Sequence, residues 1–269
     1  MKGPRFALIS LLLLAVLWVP LQAAVAFTAL MADASTSNLH TYTTTIADGF
    51  AADTTFSCAS GSVCYCAALT TDSTVGDHVI SLSQTGQGWA GLFGAVPYDP
   101  VATPGAELNV FRAVGSGAAA AGLTLSVAGG ADTQTSAHLV CVEVSGSDTG
   151  GSEPSATNTA DAGTSITVTL SALTANSGVL AFCANGAGTG ATTIEVEAGY
   201  TGGTETGVGS PNGSLRALWH DAGSADATPT CTRGGSGTPN WGAAALETKI
   251  AAVGGATLKQ LLLLGVGHP

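Results

Sequence analysis

The sequence predicts an all-β protein, a two-sheet antiparallel β-sandwich of the jelly-roll type preceded by an N-terminal signal helix. Three observations support this fold class. Short runs rich in Val, Ile, Thr, Leu and aromatic residues recur along the chain. Gly, Asn, Asp, Ser and Pro interrupt those runs, as turns interrupt the strands of sandwiches and barrels. Long helical periodicity is absent after residue 26.

The N-terminus has the pattern of a secretory signal peptide. Lys2 and Arg5 precede an apolar run (residues 6–19), and the small residues Ala-Val-Ala at 24–26 suit a cleavage site. The run is shorter than the ~20 apolar residues that span a bilayer comfortably. We therefore predict cleavage before Phe27, a secreted or cell- or virion-surface location, and no membrane span in the mature chain. An uncleaved N-terminal anchor is the alternative.

These patterns divide the chain into a signal peptide (1–26), a β-sandwich domain (27–250) and a short apolar C-terminal tail (251–269). The polar stretch 147–163 is predicted to be a loop between two halves of one sandwich, and no clear internal repeat is visible. The tail is too short to span a membrane. It fits a last strand, a docking tail or a packing element.

The candidate strands are bounded by turn-forming residues and share β-branched and aromatic residues. They are 39–46, 62–70, 78–84, 88–96, 107–113, 123–127, 138–145, 165–171, 178–184, 192–198, 214–220, 227–232 and 241–249. In the seventh, Val140, Val142 and Val144 line one face while Leu139 and Cys141 line the other. A strand that is apolar on both faces is predicted to lie inside its sheet. The pairs Asn185-Gly186 and Asn212-Gly213 predict tight turns, because Asn-Gly tolerates positive φ.

Charge excludes several classes of partner. The chain has 7 Lys and Arg against 18 Asp and Glu. Loss of Lys2 and Arg5 with the signal peptide leaves 5 basic and 18 acidic residues, and therefore a formal charge of −13. Nucleic acids and anionic membrane surfaces need basic patches, so neither is a predicted partner.

The chain has six cysteines, and an even number in an exported protein favours disulfides, with 15 connectivities open for six. Cys58 and Cys64 flank a Ser-Gly-Ser turn at 60–62, so a hairpin would bring them together and we predict that they pair. Cys64 and Cys66 point to the same face of one strand and are not expected to bond to each other.

The other cysteine patterns point to packing rather than chemistry. Cys141 and Cys183 lie inside apolar runs, where free cysteines commonly act as small core residues. The single residue between Cys64 and Cys66 is closer than the usual spacing of zinc ligands. No metal site is predicted.

No catalytic signature is present, and we predict neither catalytic residues nor a cofactor. The sequence has no nucleophile elbow, His-Glu-x-x-His, phosphate loop or dinucleotide motif. Glu195 and Glu197 would lie ~7 Å apart on one strand face, which is within the range of inverting glycosidases. A solvated strand face is the favoured interpretation of this pair.

Four aromatic residues near glycine-rich loops are the candidate ligand-binding residues: Trp89, Tyr98, Tyr200 and Trp219. Exposed Trp and Tyr rings stack on sugars and anchor protein interfaces. Core packing is the alternative for each of them, and it is favoured for Trp241.

The chain also resembles β-sandwich proteins of the jelly-roll and lectin-like type, found among phage structural and tail-associated proteins and exported bacterial proteins. The resemblance lies in FTALMAD (27–33), NVFRA (109–113), LVCVEVSG (139–146), WGAAALETK (241–249) and LLLLGVG (261–267). It implies a virion appendage or a surface-exposed recognition role, and it brings no catalytic residues with it.

The predicted function is therefore that of a non-catalytic structural or adhesive protein outside the cell or on a virion. A surface glycan or another protein is the expected partner, and self-association into a homo-oligomer is open. The alternatives are a lectin-like carbohydrate-binding module, or a secreted hydrolase whose site has no recognisable motif.

Overall fold

Every described regular element of the computed structural model is a β-strand, and every pairing between those strands is antiparallel. The predicted all-β, antiparallel class is thereby confirmed. The structure describes residues 25–35, 40–41, 45–46, 55–72, 79–98, 105–128, 133–150, 153–160, 162–186, 193–209, 212–223, 226–235 and 237–251. The predicted signal helix and the predicted C-terminal tail, apart from residue 251, lie outside these ranges.

The described strands fall into two consecutive halves of the chain. The first half contains β1 (Ala26–Ser35), β2 (His40–Thr41), β3 (Thr45–Ile46), β4 (Thr55–Phe56), β5 (Val63–Asp72), β6 (Val79–Gln84), β7 (Ala90–Gly91), β8 (Val96–Pro97), β9 (Gly105–Val114), β10 (Ala121–Ala128) and β11 (Thr133–Ser145). The second half contains β12 (Ser155–Ala160), β13 (Ser165–Thr167), β14 (Gly178–Gly186), β15 (Thr193–Glu195), β16 (Thr201–Gly202), β17 (Thr206–Gly209), β18 (Asn212–His220), β19 (Thr230–Gly234) and β20 (Asn240–Thr248).

The described strands form four sheets, whereas the sequence predicts two. Sheet I has the order β1-β11-β5-β9-β7, with β2 beside β11 and β8 beside β9. Sheet II has the order β3-β10-β4, with β6 also on β10. Sheet III has the order β12-β20-β14-β18-β16, with β17 beside β18, and sheet IV has the order β13-β19-β15.

The two halves repeat one strand order. In the large sheet of each half, the first strand pairs with the last, the last with a central strand (β5 or β14), and the central strand with the next long strand (β9 or β18). In each small sheet the penultimate strand (β10 or β19) lies between strands that precede and follow the central strand in sequence. The sequence shows no clear repeat, so this duplication is visible only in the pairing.

Three clusters of buried side chains separate the four sheets. The central core joins sheets I and III, and Tyr65, Leu108 and Phe182 are among its members. The first outer core lies between sheets I and II and includes Leu125. The second outer core lies between sheets III and IV and includes Trp241. Sheets I and III therefore each bury both faces, which explains their long apolar strands.

The alternation predicted for β11 is confirmed. Val140, Val142 and Val144 belong to the central core, while Leu139 and Cys141 belong to the first outer core. The strand lies between β1 and β5 inside sheet I, as its two apolar faces predict.

The predicted loop at 147–163 is wrong in part, because β12 occupies Ser155–Ala160 and pairs along β20. The predicted Asn-Gly turns are also wrong. Residues 185–186 lie within β14 and residues 212–213 within β18. Each glycine faces a buried ring, and a Cβ atom at Gly186 or Gly213 would lie in van der Waals contact, 3.4 Å from Tyr98 or His138.

Candidate functional site

Two of the predicted ligand-binding aromatics lie in the central core. Tyr98 is 1% exposed and packs against Gly186 and Gly242. Trp219 is 7% exposed and stacks on Phe27, with ring centroids 6.1 Å apart and planes at 22°. Protein atoms therefore occupy the faces of these two rings. Their proposed contact with a ligand stays a prediction.

Trp89 is partly exposed, and its ring packs on the edge of the first outer core. Its indole Nε1 lies 3.4 Å from the Gln84 side-chain oxygen, to which it donates a hydrogen bond. Of the four predicted aromatics it presents the most surface to solvent, as the flanking glycines suggest.

Tyr200 brings together a cluster of polar groups in the second half. Its ring meets His220 edge to face, with centroids 5.4 Å apart. Burial raises the pKa of Tyr200, and the nearby carboxylates of Asp226 and Glu197 raise it further. Burial also raises the pKa of Glu197, although the backbone N–H of Thr230 donates to its carboxylate at 2.7 Å and opposes that shift.

The six cysteines form three disulfides: Cys58–Cys64, Cys66–Cys141 and Cys183–Cys231. The first is the pairing predicted from the turn at 60–62. The free-core interpretation of Cys141 and Cys183 is wrong. Cys141 lies directly opposite Cys66 on the neighbouring strand, and the third bond joins β14 of sheet III to β19 of sheet IV.

One group of potential metal ligands occurs among the described residues, formed by Cys58, Cys64 and Glu143. The two sulfur atoms are bonded to each other, so neither is a thiolate that could bind a metal. Glu143 instead accepts a hydrogen bond from the Ser62 hydroxyl at 2.8 Å and one from the Ala59 N–H at 3.3 Å. This carboxylate holds the disulfide loop against β11.

Other carboxylates fasten loops in the same way. Glu247 accepts from the Thr174 N–H at 2.5 Å and from the Ser177 hydroxyl at 2.6 Å. Burial raises the pKa of Glu247, but these hydrogen bonds outweigh it and hold the pKa below its usual range. Glu205 accepts from the Ile194 N–H at 3.1 Å, and burial raises its pKa.

Glu153 lies in the segment between β11 and β12 that connects the two halves, and its hydrogen bonds attach this connection to sheet I. Its carboxylate accepts a hydrogen bond from the Tyr65 hydroxyl at 2.6 Å and an ion-paired one from Arg112 Nε at 2.8 Å. Arg112 also donates to the Thr149 carbonyl at 3.1 Å. Burial raises the pKa of Tyr65, and the Glu153 carboxylate raises it further. The network locks the connection onto β5 and β9.

His138 and Thr206 have the spacing of a base and a nucleophile, with Nδ1 3.0 Å from the hydroxyl. His138 is 0% exposed and Thr206 is 6% exposed. Burial lowers the pKa of His138 to about 4. Both side chains are buried where β11 contacts β17.

An open cleft of about 550 Å³ lies between the β7–β8 segment of the first half and β12 of the second. Its walls are Phe93, Gly94, Ala95, Val96, Pro97, Thr157 and Thr159. None of these residues was predicted as a site residue. The two walls come from distant parts of the sequence, and no motif links them.

Comparison with family models, curated proteins and solved structures finds no match to this chain. Within the described ranges, no helix has the length and apolar character needed to cross a membrane.

Proposed function

We propose that this chain is an exported, non-catalytic structural or adhesive protein, built from two jelly-roll-like β-sandwich units. The duplicated strand order carries the proposal. A first–last–central–next order in one sheet, facing a small sheet centred on the penultimate strand, is the jelly-roll order. Each half has it, and a buried core lies between the two sheets of each half.

Cysteine pairing supports export. Three disulfides are consistent with an extracellular or otherwise oxidising environment. The signal-like N-terminus points the same way and favours a location in the medium, or on a cell or virion surface. Cleavage before Phe27 would remove Val25, which is 2% exposed in the central core, and Ala26, at which β1 begins.

The use of the carboxylates supports a scaffold rather than a hydrolase. Glu143, Glu153, Glu205 and Glu247 each accept hydrogen bonds that fasten a loop or a connection. Such groups are already engaged with protein donors. The negative charge of the chain disfavours nucleic acid and anionic membranes, which leaves a surface glycan, another protein or a second copy of the chain as partner.

Localisation tests the proposal directly. We expect immunogold labelling of the producing cells or virions to decorate outer surfaces, and N-terminal sequencing to begin at or near Phe27. Thiol labelling of the native protein is expected to find no free cysteine. A cytosolic protein with reactive thiols and Met1 in place would overturn the proposal.

A second candidate function is that of a carbohydrate-binding module. The open cleft beside Phe93 favours it, because binding modules hold glycans in shallow surface clefts against an apolar ring. A glycan array probed with the labelled protein distinguishes it from a purely structural role.

A further inference from the structure

The open cleft occupies one of two related places in the fold. Sheets I and III face each other so that β1 lies over β17 and β11 over β18, while β8 lies over β12 and β9 contacts β20. In strand order, β12 of the second half corresponds to β1 of the first. The β1–β17 contact and the β8–β12 contact are therefore equivalent places at opposite ends of the interface between sheets I and III.

At the β1–β17 end, an aromatic stack fills the space between the two sheets. Phe27, on β1, stacks on Trp219 of β18 and lies so close to Gly178 that a Cβ atom there would be 2.8 Å from the ring. The residues of β12 are Ser, Ala, Thr, Asn, Thr and Ala. No side chain of β12 is large enough to fill the space toward β8. The β8–β12 end of the interface therefore stays open as the cleft.

The lining of the cleft indicates the ligand class. Thr157 and Thr159 lie opposite Ala244 and Gly242 of β20, and partners across an antiparallel pair share a face. The two exposed threonines therefore face β8 and present hydroxyls ~7 Å apart. Phe93 and Pro97 provide apolar surface on the opposite wall. None of the lining residues is ionisable, and the chain as a whole is negatively charged.

We propose that this cleft, the β8–β12 cleft, binds a neutral saccharide. A sugar ring packs its C–H face on Phe93 and exchanges hydrogen bonds with the hydroxyls of Thr157 and Thr159. The volume fits a short oligosaccharide, since small-ligand sites span roughly 300–1,000 Å³. This inference rests on the second candidate function and names its site and ligand class.

The test uses an array of neutral and acidic glycans, followed by titration calorimetry with the best neutral oligosaccharide found. Phe93→Leu keeps apolar volume against the central core but removes the ring, and it is expected to raise Kd about tenfold, or roughly 1.4 kcal/mol. The double variant Thr157→Val and Thr159→Val is expected to raise Kd at least threefold.

Two controls locate the site. Thr201→Val changes an exposed threonine at the opposite edge of sheet III and is expected to leave Kd unchanged. Trp89→Ala, on the other face of sheet I, tests the rival site that the sequence predicts. Unfolding temperatures of all variants establish that the fold is kept.

Each other outcome overturns the inference in a recognisable way. Loss of binding in Trp89→Ala with normal binding in Phe93→Leu would place the saccharide elsewhere and leave the carbohydrate-binding function standing. Preference for acidic glycans would refute the ligand class. An absence of binding to every glycan would remove both the site and the second candidate function, while surface labelling would still decide the structural role.

Discussion

Gly242 of β20 lies beneath the ring of Tyr98, so close that a Cβ atom at position 242 would come within 2.9 Å of ring atoms Cγ and Cε1. Tyr98 is 1% exposed, and β20 is buried along most of its length. This contact joins the first half to the second. It requires glycine because the Tyr98 ring and the β20 backbone are both held in the buried core.

We therefore expect Gly242→Ala to lower the free energy of unfolding by about 1–3 kcal/mol, as overpacking in a close-packed core does. Denaturant unfolding measures it. Gly88→Ala is the matched control, because a Cβ atom there meets nothing within 4 Å. Similar losses in both variants would show that the Tyr98 contact does not limit position 242.

The disulfides are expected to contribute unequally. Cys183–Cys231 closes a sequence separation of 48 residues, whereas Cys58–Cys64 closes 6. In the chain-entropy account, the longer loop stabilises by about 4 kcal/mol and the shorter by about 2 kcal/mol. We expect the pair of Cys→Ala changes at 183 and 231 to lower unfolding free energy more than the pair at 58 and 64. The reverse order in guanidinium titrations would reject this ranking.

The buried His138 is expected to make stability depend on pH. Burial lowers its pKa from 6.5 to about 4 in the folded protein, so the unfolded chain binds more protons between these values. Its contribution is therefore complete above pH 6.5 and is lost as pH falls through about 4. The total loss is about 3 kcal/mol, at about 1.4 kcal/mol per pKa unit.

His138→Asn isolates this effect, because the carboxylates titrate in both proteins. The difference in unfolding free energy between wild type and variant is expected to shrink by about 3 kcal/mol from pH 7 to pH 4. Parallel stability curves over this range would show that His138 is as easily protonated in the folded protein as in the unfolded chain.

Alternation in sequence predicted the strands that bury a face, and β11 shows why: Val140 and Leu139 point to different cores. It missed β1, β4, β12, β16 and β17. Of these, β12 is an edge strand whose side chains are mostly exposed and polar. Alternation could not predict that Cys66 lies opposite Cys141, because the register between strands follows from the whole sheet.

The site was harder to predict than the fold for a related reason. Tyr98 is predicted to be available for a ligand because glycines are common near it in sequence, yet two distant glycines of sheet III, Gly186 and Gly242, pack onto its ring. Phe93 and Thr157 become neighbours only when the two halves pack together. No local pattern in a single sequence carries that contact.

The last prediction concerns Glu153, whose carboxylate receives hydrogen bonds from Tyr65 and Arg112. Its side chain is 4% exposed and that of Arg112 is 18% exposed. Removing one partner of a buried pair leaves an uncompensated charge, which costs about 3 kcal/mol or more. We expect Glu153→Ala to lower the free energy of unfolding by about that amount. Glu195→Ala, on the exposed side of β15, is expected to change it by less than about 0.5 kcal/mol.

A double-mutant cycle separates the ion pair from the packing of Glu153. Arg112→Met removes the charge that Glu153→Ala would strand, so the double variant is expected to be more stable than the sum of the single losses predicts, by at least about 1 kcal/mol. Additive losses would mean that the carboxylate acts mainly through Tyr65, and Tyr65→Phe would then reproduce the loss seen in Glu153→Ala. Equal, small effects at Glu153 and Glu195 would contradict the view that this network fastens the connection between the halves.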